Sequence, residues 1–310
     1  MQLGVKFDGS TEGRESIQGG LMVTGVVEGE VWNPGAVETR APSRVLRWMK
    51  ERERLLVPAA ALIVFLLAWQ LASTLGLINQ LFFASPSAVV SSGYHVVQTA
   101  QFWSDFRVSV SEFVVGYGMG LVSGLAAGFA LGWFWRLRFI FRPWVDALNS
   151  IPGIALVPLV LIWFGLGFSS KIALIFLITF PVVVVNMYTA TSSINPQYLR
   201  VGRSFGCSKF RLLRTIVFPS IAPFAFAAAR IGVGRGVSGV VVGEYFAASS
   251  GLAYRLLQYG HDRQTGLLLF DALFITVVAL GAFRVVSMVE KRVLHWRHVG
   301  AHSAFGADNT

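Results

Sequence analysis

Few residues in this 310-residue chain have the type and spacing for chemistry, and most of those lie inside apolar stretches. Gly236-Val237-Ser238-Gly239 has the spacing of a serine nucleophile. A serine hydroxyl attacks only when an adjacent base takes its proton. His95, His261, His295, His298 and His302 all fall outside the apolar segments, so an intramembrane serine protease, one competing reading, has no base. The lysines stand at 6, 50, 171, 209 and 291 and none follows a glycine, which excludes a GxxxxGK[ST] phosphate loop. The chain is therefore expected to be no enzyme, with no cofactor, metal or catalytic residue of its own. Cys207 is the single cysteine, too few for a disulfide framework or paired metal ligands. What remains is charge and proline at membrane depth. Arg230, Arg235 and Glu244 share one apolar segment, and Pro152 and Pro158 interrupt another. An ionisable residue in such a segment is by default a functional-site hypothesis: facing a wet cavity, an arginine attracts an anion. The alternative is an internal ion pair or a snorkelling side chain. Prolines remove helix hydrogen bonds and invite a kink that often borders a pathway, although proline is also commoner in membrane helices in general. Pro152, Pro158, Arg230, Arg235 and Glu244 are the candidate pathway residues.

The elements that must carry these residues are membrane helices. Only 14% of residues are charged, against roughly 25% in an ordinary soluble domain. Hydrophobic residues make up 54% and the mean hydropathy is +0.61. A bilayer core about 30 Å thick takes about 20 apolar residues as helix. Six segments fit, near 55–78, 112–135, 145–165, 172–190, 222–246 and 267–288. The expected fold class is thus all-α, a polytopic membrane protein with six transmembrane helices spread over residues 55–290. Residues 1–54 read as a largely disordered cytoplasmic tail with a basic segment before the membrane, and 291–310 as a second cytoplasmic tail. Arg40, Arg44, Arg47, Lys50, Arg52 and Arg54 precede the first span; Arg136, Arg138 and Arg142 join the second to the third; Lys291, Arg292 and Arg297 follow the sixth. Opposite them stand Arg107, Lys171, Arg255 and Arg263. Positive residues are retained inside, so both termini are expected in the cytoplasm. The net charge of +10 then reflects topology and attraction to anionic membrane lipid, without nucleic acid as partner.

Within the second segment Gly116, Gly120, Gly124, Gly128 and Gly132 recur every fourth residue, forming a ridge over which helix backbones can meet. Gly232, Gly236, Gly239 and Gly243 repeat the device in the fifth. Such ridges serve static packing or sliding, and spacing alone does not separate the two. Residues 191–219 are expected to form two short cytoplasmic helices: Asn195 caps the first, Pro196 opens it, Gly206 ends it left-handed, Ser208 caps the second and Pro219 stops it. Tyr198, Val201 and Phe205 share one face, and Phe210, Leu213 and Val217 another, rimmed by arginines and lysines. Two helices and a glycine turn also describe a DNA-binding helix-turn-helix. Both ends of this one are tied to membrane spans within a few residues, so a recognition helix could not easily reach a duplex, whereas insertion of an apolar face into a groove of a cytoplasmic partner needs no such reach.

The 191–219 segment resembles the EAA loop of bacterial ABC importer permeases, Glu-Ala-Ala, three residues, Gly, nine residues, Ile, one residue, Leu-Pro. Here the positions read Arg200-Val201-Gly202, Gly206, Ile216 and Phe218-Pro219. Gly206, Ile216 and Pro219 match, while Arg200 stands in for Glu and Phe218 for Leu. Residues 84–90, 150–167, 230–246 and 251–256 are similar to the nitrate, sulfonate and taurine subfamily. The resemblance implies a type I ABC importer permease fold in a bacterial inner membrane. It implies ATPase coupling through Tyr198, Arg200, Val201, Gly202, Phe205, Gly206, Phe210, Leu213, Ile216 and Pro219. It further implies two copies of an ABC ATPase subunit that bind ATP and Mg, a second permease copy in a homodimer, and a periplasmic or lipid-anchored solute-binding protein. The solute would be a small organic or inorganic anion such as sulfonate, taurine or nitrate. A self-sufficient secondary transporter is the alternative, and would need a coupling-ion site and commonly repeat symmetry.

Overall fold

The computed structural model describes residues 44–79, 82–247 and 249–295. Most of both expected tails lies outside those residues. The chain divides into two units, Met1–Ala59 and Ala60–Thr310; the first helix begins in the first unit, and all packing described below lies within the second. The described residues are helical, with no strand. In chain order the helices are α1 (Arg44–Thr74), α2 (Pro86–Val97), α3 (Ala100–Trp133), α4 (Trp135–Ser150), α5 (Val157–Phe164), α6 (Phe168–Ser192), α7 (Pro196–Ser204), α8 (Lys209–Leu212), α9 (Phe218–Ala247), α10 (Leu252–His261) and α11 (Thr265–Val293).

The glycine ridge of α3 sets the arrangement. Bilayer lipid is as apolar as leucine, so helices associate by close packing over small residues rather than by escaping water. Gly116 meets Ile175, Gly120 meets Thr179, Gly124 meets Val183, Gly128 meets Val184 and Met187, and Gly132 meets Thr191. The numbers rise together, so α3 and α6 run parallel. Parallel helices need a return between them. That return is α4, a 3-10 turn (Gly153–Leu156) and α5, bent by 101°. Five unbroken helices and this broken pair are apolar and long enough to give six crossings. The second ridge, on α9, runs the other way: Gly232 approaches Val183, Gly239 meets Ile175 and Gly243 meets Lys171, so α9 lies antiparallel to α6.

Three expectations about boundaries change. α3 begins at Ala100, capped by Thr99 Oγ1 accepting from the Phe102 amide at 3.3 Å, and not at residue 112. Charge had marked the expected start, but Asp105 and Glu112 lie in phase with the glycine ridge and are buried on it. The third crossing starts at Trp135 rather than near residue 145, and the kink expected at its prolines is a full break into two helices, because Pro152 has no amide to continue α4. Pro219 does not stop the helix it follows. The turn Leu213–Val217 opens to a π turn, the Phe218 amide bonds back to the Leu213 carbonyl, and one helical run continues from Lys209 to Ala247.

At the end of the bundle away from α7 and α8, polar side chains continue the ridge. Asp105 Oδ1 accepts from the Gly251 amide at 3.2 Å, Ser109 Oγ from Leu252 at 2.9 Å and Glu244 Oε2 from Ala253 at 2.7 Å. Three side chains thus satisfy the first amides of α10, groups no helix satisfies for itself. Ser109 also donates to Glu244 Oε1 at 2.5 Å. Gly251 stands at φ +118°, and a β-carbon there would collide with the Glu244 carboxylate. Arg255 then reaches Asp105 at 3.5 Å and Asp271 at 3.4 Å while lying over the Phe102 ring at 5.2 Å. It also donates to the Tyr259 hydroxyl. Burial lifts the Tyr259 phenol above its ordinary range, with Arg255 opposing. Lys171 pairs with Glu112 across α3 and α6, both buried.

Two experiments check this packing. Gly128→Ala should lower stability by about 1–3 kcal/mol, the usual penalty of overpacking, because its β-carbon would lie 2.6 Å from the Val184 carbonyl oxygen. Gly118→Ala, with nothing within 4 Å, should be silent. Thermal unfolding in detergent reads both. Arg255→Ala should cost about 3–5 kcal/mol by leaving Asp105 and Asp271 without a counter-charge, and adding Asp271→Asn should recover part of the loss in the same assay.

Candidate functional site

The α7–α8 element is built as its sequence dictates up to Ser208. Asn195 Oδ1 accepts from the Gln197 amide at 2.9 Å and Pro196 fills the first helical position. Gly206 takes φ +72°, which places its amide on the Arg203 carbonyl and that of Cys207 on Gly202. Ser208 Oγ accepts from Arg211 at 3.3 Å. Gly202 is buried with Leu212 and Ile216 against it, so α7 folds flat onto α8. Behind them Val217 and Ile221 pack with Met187 of α6, and Leu199 and Leu213 join the same cluster.

In front, Tyr198, Val201, Phe205 and Phe210 are exposed, Phe205 to 83% and Phe210 to 73%. Arg200, Arg203, Lys209, Arg211 and Arg214 stand exposed around them. Tyr198, Val201, Thr215, Ile216, Pro219 and Ser220 line a shallow groove. The expected grouping of Phe210, Leu213 and Val217 on one face fails: Phe210 points out, Val217 is fully buried and Leu212, rather than Leu213, is the buried leucine. The π turn adds a residue to the local repeat and rotates everything after it.

The pathway candidates separate. Arg230 pairs with Glu290 of α11 at 3.2 Å. Glu244 is fully buried in the cap of α10. Pro152 forms the break in the third crossing, and Pro158 sits at the start of α5 where a missing amide does least harm. Arg235 alone of the three charged residues on α9 has neither hydrogen bond nor ion pair among the described residues. It lies exposed near the middle of α9, on a stripe with Phe224, Ile231, Ser238 and Tyr245, and borders a recess lined also by Asn149, Ile151 and Gly153 of the break and by Ile178 of α6. The Ser238 hydroxyl is bonded to the Gly234 carbonyl at 3.0 Å, and no base approaches it among the described residues.

Sequence reasoning missed Asn149 and the buried set of Asp105, Ser109, Glu112, Lys171, Arg255 and Asp271. The first three carried a signal, since spacings of four and three continue the glycine repeat toward the start of α3. Lys171, Arg255 and Asp271 carried none, because only the fold brings their partners to them.

Residues 119–295 match the family of binding-protein-dependent transport system inner membrane components. The chain is 27% identical to the taurine transport system permease protein of Escherichia coli K12, over 84% of this chain and 97% of that one. It is 31% identical to a probable ABC transporter permease protein of Haemophilus influenzae, over 72% and 90%. A riboflavin transport system permease protein of Chloroflexus aurantiacus is 26% identical over 84% and 98%. Among solved structures, a bacterial ABC transporter involved in the import of the acidic polysaccharide alginate superposes with TM-score 0.50 at 17% identity, over 79% of this chain and 98% of that one, a likeness of fold. With more than half of its length inside the family match, this chain belongs to the inner membrane components of binding-protein-dependent transport systems, as an ABC transporter permease.

Proposed function

We propose that this permease carries a small anionic solute inward, driven by a separate ATPase that docks on α7 and α8. The observation that carries the docking reading is the exposed apolar face of Tyr198, Val201, Phe205 and Phe210 on an element braced from behind by Gly202, Leu212 and Val217. A braced apolar face with a basic rim suits insertion into a partner's groove. Arg200 makes the contact at that rim cationic rather than acidic. The same element marks the cytoplasmic end, and the α10 end receives solute from a periplasmic or lipid-anchored binding protein. ATP and Mg belong to the ATPase subunits, one per permease copy.

The exposed stripe of α9 supports a second permease copy. Arg235 and Ser238 lie on that stripe at membrane depth, where charge facing lipid is rare and expensive. A homodimer closing over that stripe encloses them along a wet path. The anionic solute class rests on Arg235, and relatives named for taurine and aliphatic sulfonates agree with it. Relatives named for formylaminopyrimidine and riboflavin show that the wider group is not confined to anions.

Purification of the complex from its native membrane in mild detergent should bring down a subunit with a phosphate-loop ATPase; its absence after cross-linking at α7 would overturn the docking reading. Gly206→Val should uncouple uptake while the protein stays in the membrane. A left-handed conformation strains a side-chain-bearing residue by about 1–2 kcal/mol, enough to weaken docking roughly tenfold. Gly206→Asn, which tolerates that conformation, should retain more uptake. Equal ATP-driven uptake by the valine variant and the parent would refute the role of the turn.

A further inference from the structure

The third crossing breaks at membrane depth, and the break exposes backbone groups that water or protein must satisfy. Irregular backbone is tolerated there only when buried in protein or bordering a water-filled cavity. Asn149 and Ile151 at this break are exposed. Gly153 holds the break against α6, since a β-carbon on it would lie 2.6 Å from Ile178 Cδ1. Across the recess stands Arg235, exposed and without a partner among the described residues. A polar amide, an interrupted helix and an uncompensated guanidinium therefore converge on one recess from two different crossings.

We propose that Arg235 and Asn149 form an oxyanion contact point midway along the solute path, one in each permease copy. It takes small solutes that bear a sulfonate, carboxylate or similar planar or tetrahedral oxyanion group. The guanidinium presents two parallel N–H donors to two oxygens of such a head, and the Asn149 side-chain amide donates to a third or to an adjacent polar atom. Ion pairing within the subunit would quench the contact, and the structure avoids it: Glu290 is occupied by Arg230 and Glu244 by the amide of α10. The inference rests on the permease reading, because it needs a wet path along α9.

The test reads local potential without knowing the natural solute. In a Cys207→Ser background, Ser238→Cys places one thiol on the Arg235 stripe of the full complex in membrane vesicles. Its reaction rate is compared for the anionic reagent 2-sulfonatoethyl methanethiosulfonate and the cationic reagent 2-(trimethylammonium)ethyl methanethiosulfonate, each normalised to a free thiol. Measurements are made without nucleotide and after trapping with ATP and vanadate. The anionic reagent should be favoured by about tenfold or more, as expected beside a charge in a low-dielectric cleft. Arg235→Gln should bring the ratio close to one, Arg235→Lys should preserve it, and Arg230→Gln should leave it unchanged. An unchanged ratio in Arg235→Gln, or a thiol inert to both reagents in both states, would overturn the proposal. Should Ser238→Cys not assemble, Asn149→Cys reports from the opposite wall by the same criteria. A purified complex lacking an ATPase subunit would instead strike the permease reading, a result separate from the ratio.

Discussion

Contact between the backbones of α3 and α6 is the constraint on which the rest of the bundle depends. In lipid no hydrophobic force draws helices together, so their register is set by where small residues allow approach. Five glycines at fixed spacing give one register, from Gly116 at Ile175 to Gly132 at Thr191, and it is parallel. Everything between the two helices must then travel back through the membrane. The return is made with a break at Pro152, and the break is what brings Asn149 and Ile151 opposite Arg235. A structural requirement of packing and a candidate solute contact are therefore consequences of the same stripe of glycines.

α9 is held differently at its two ends. At one end it is continuous with α8 through the π turn, so a force on α7 and α8 meets helix rather than a flexible loop. At the other, Glu244 binds the Ala253 amide and Ser109, joining α9 to α10 and α3. Along its length Gly232, Gly236, Gly239 and Gly243 keep it against α3 and α6. A helix anchored in this way moves as a unit, which suits a rocking transition better than local bending.

Much of this was legible from residue types alone. Helix caps, the left-handed Gly206 and both glycine ridges depend on local rules, and each appears where spacing placed it. Boundaries were less legible because charge was taken to end a span. Asp105 and Glu112 are acidic residues and yet buried, since Arg255 and Lys171 arrive from distant segments to pair with them. Pro219 was read as a stop because proline ends a regular α-helix, but a widened turn removes the hydrogen bond that proline lacks. Arg230 and Arg235 look alike in sequence. Only the position of Glu290 on a neighbouring helix gives the first an ion pair, and the second has none among the described residues.

The distribution of neutralised and free charge also bears on direction. At the α10 end, Lys171 and Arg255 are each committed to buried carboxylates. At the α7–α8 end, Arg200, Arg203, Lys209, Arg211 and Arg214 are exposed, and residues 191–219 contain no acidic residue to offset them. The contrast between the ends is thus larger in effective charge than in a count of lysines and arginines. From the α10 end to the α7–α8 end the charge thus runs from compensated to basic, with Arg235 near the middle of α9 between them. Under the proposed function such a gradient draws an anion toward α7 and α8, and the contact at Arg235 must stay loose, because a solute held too strongly there would not be released.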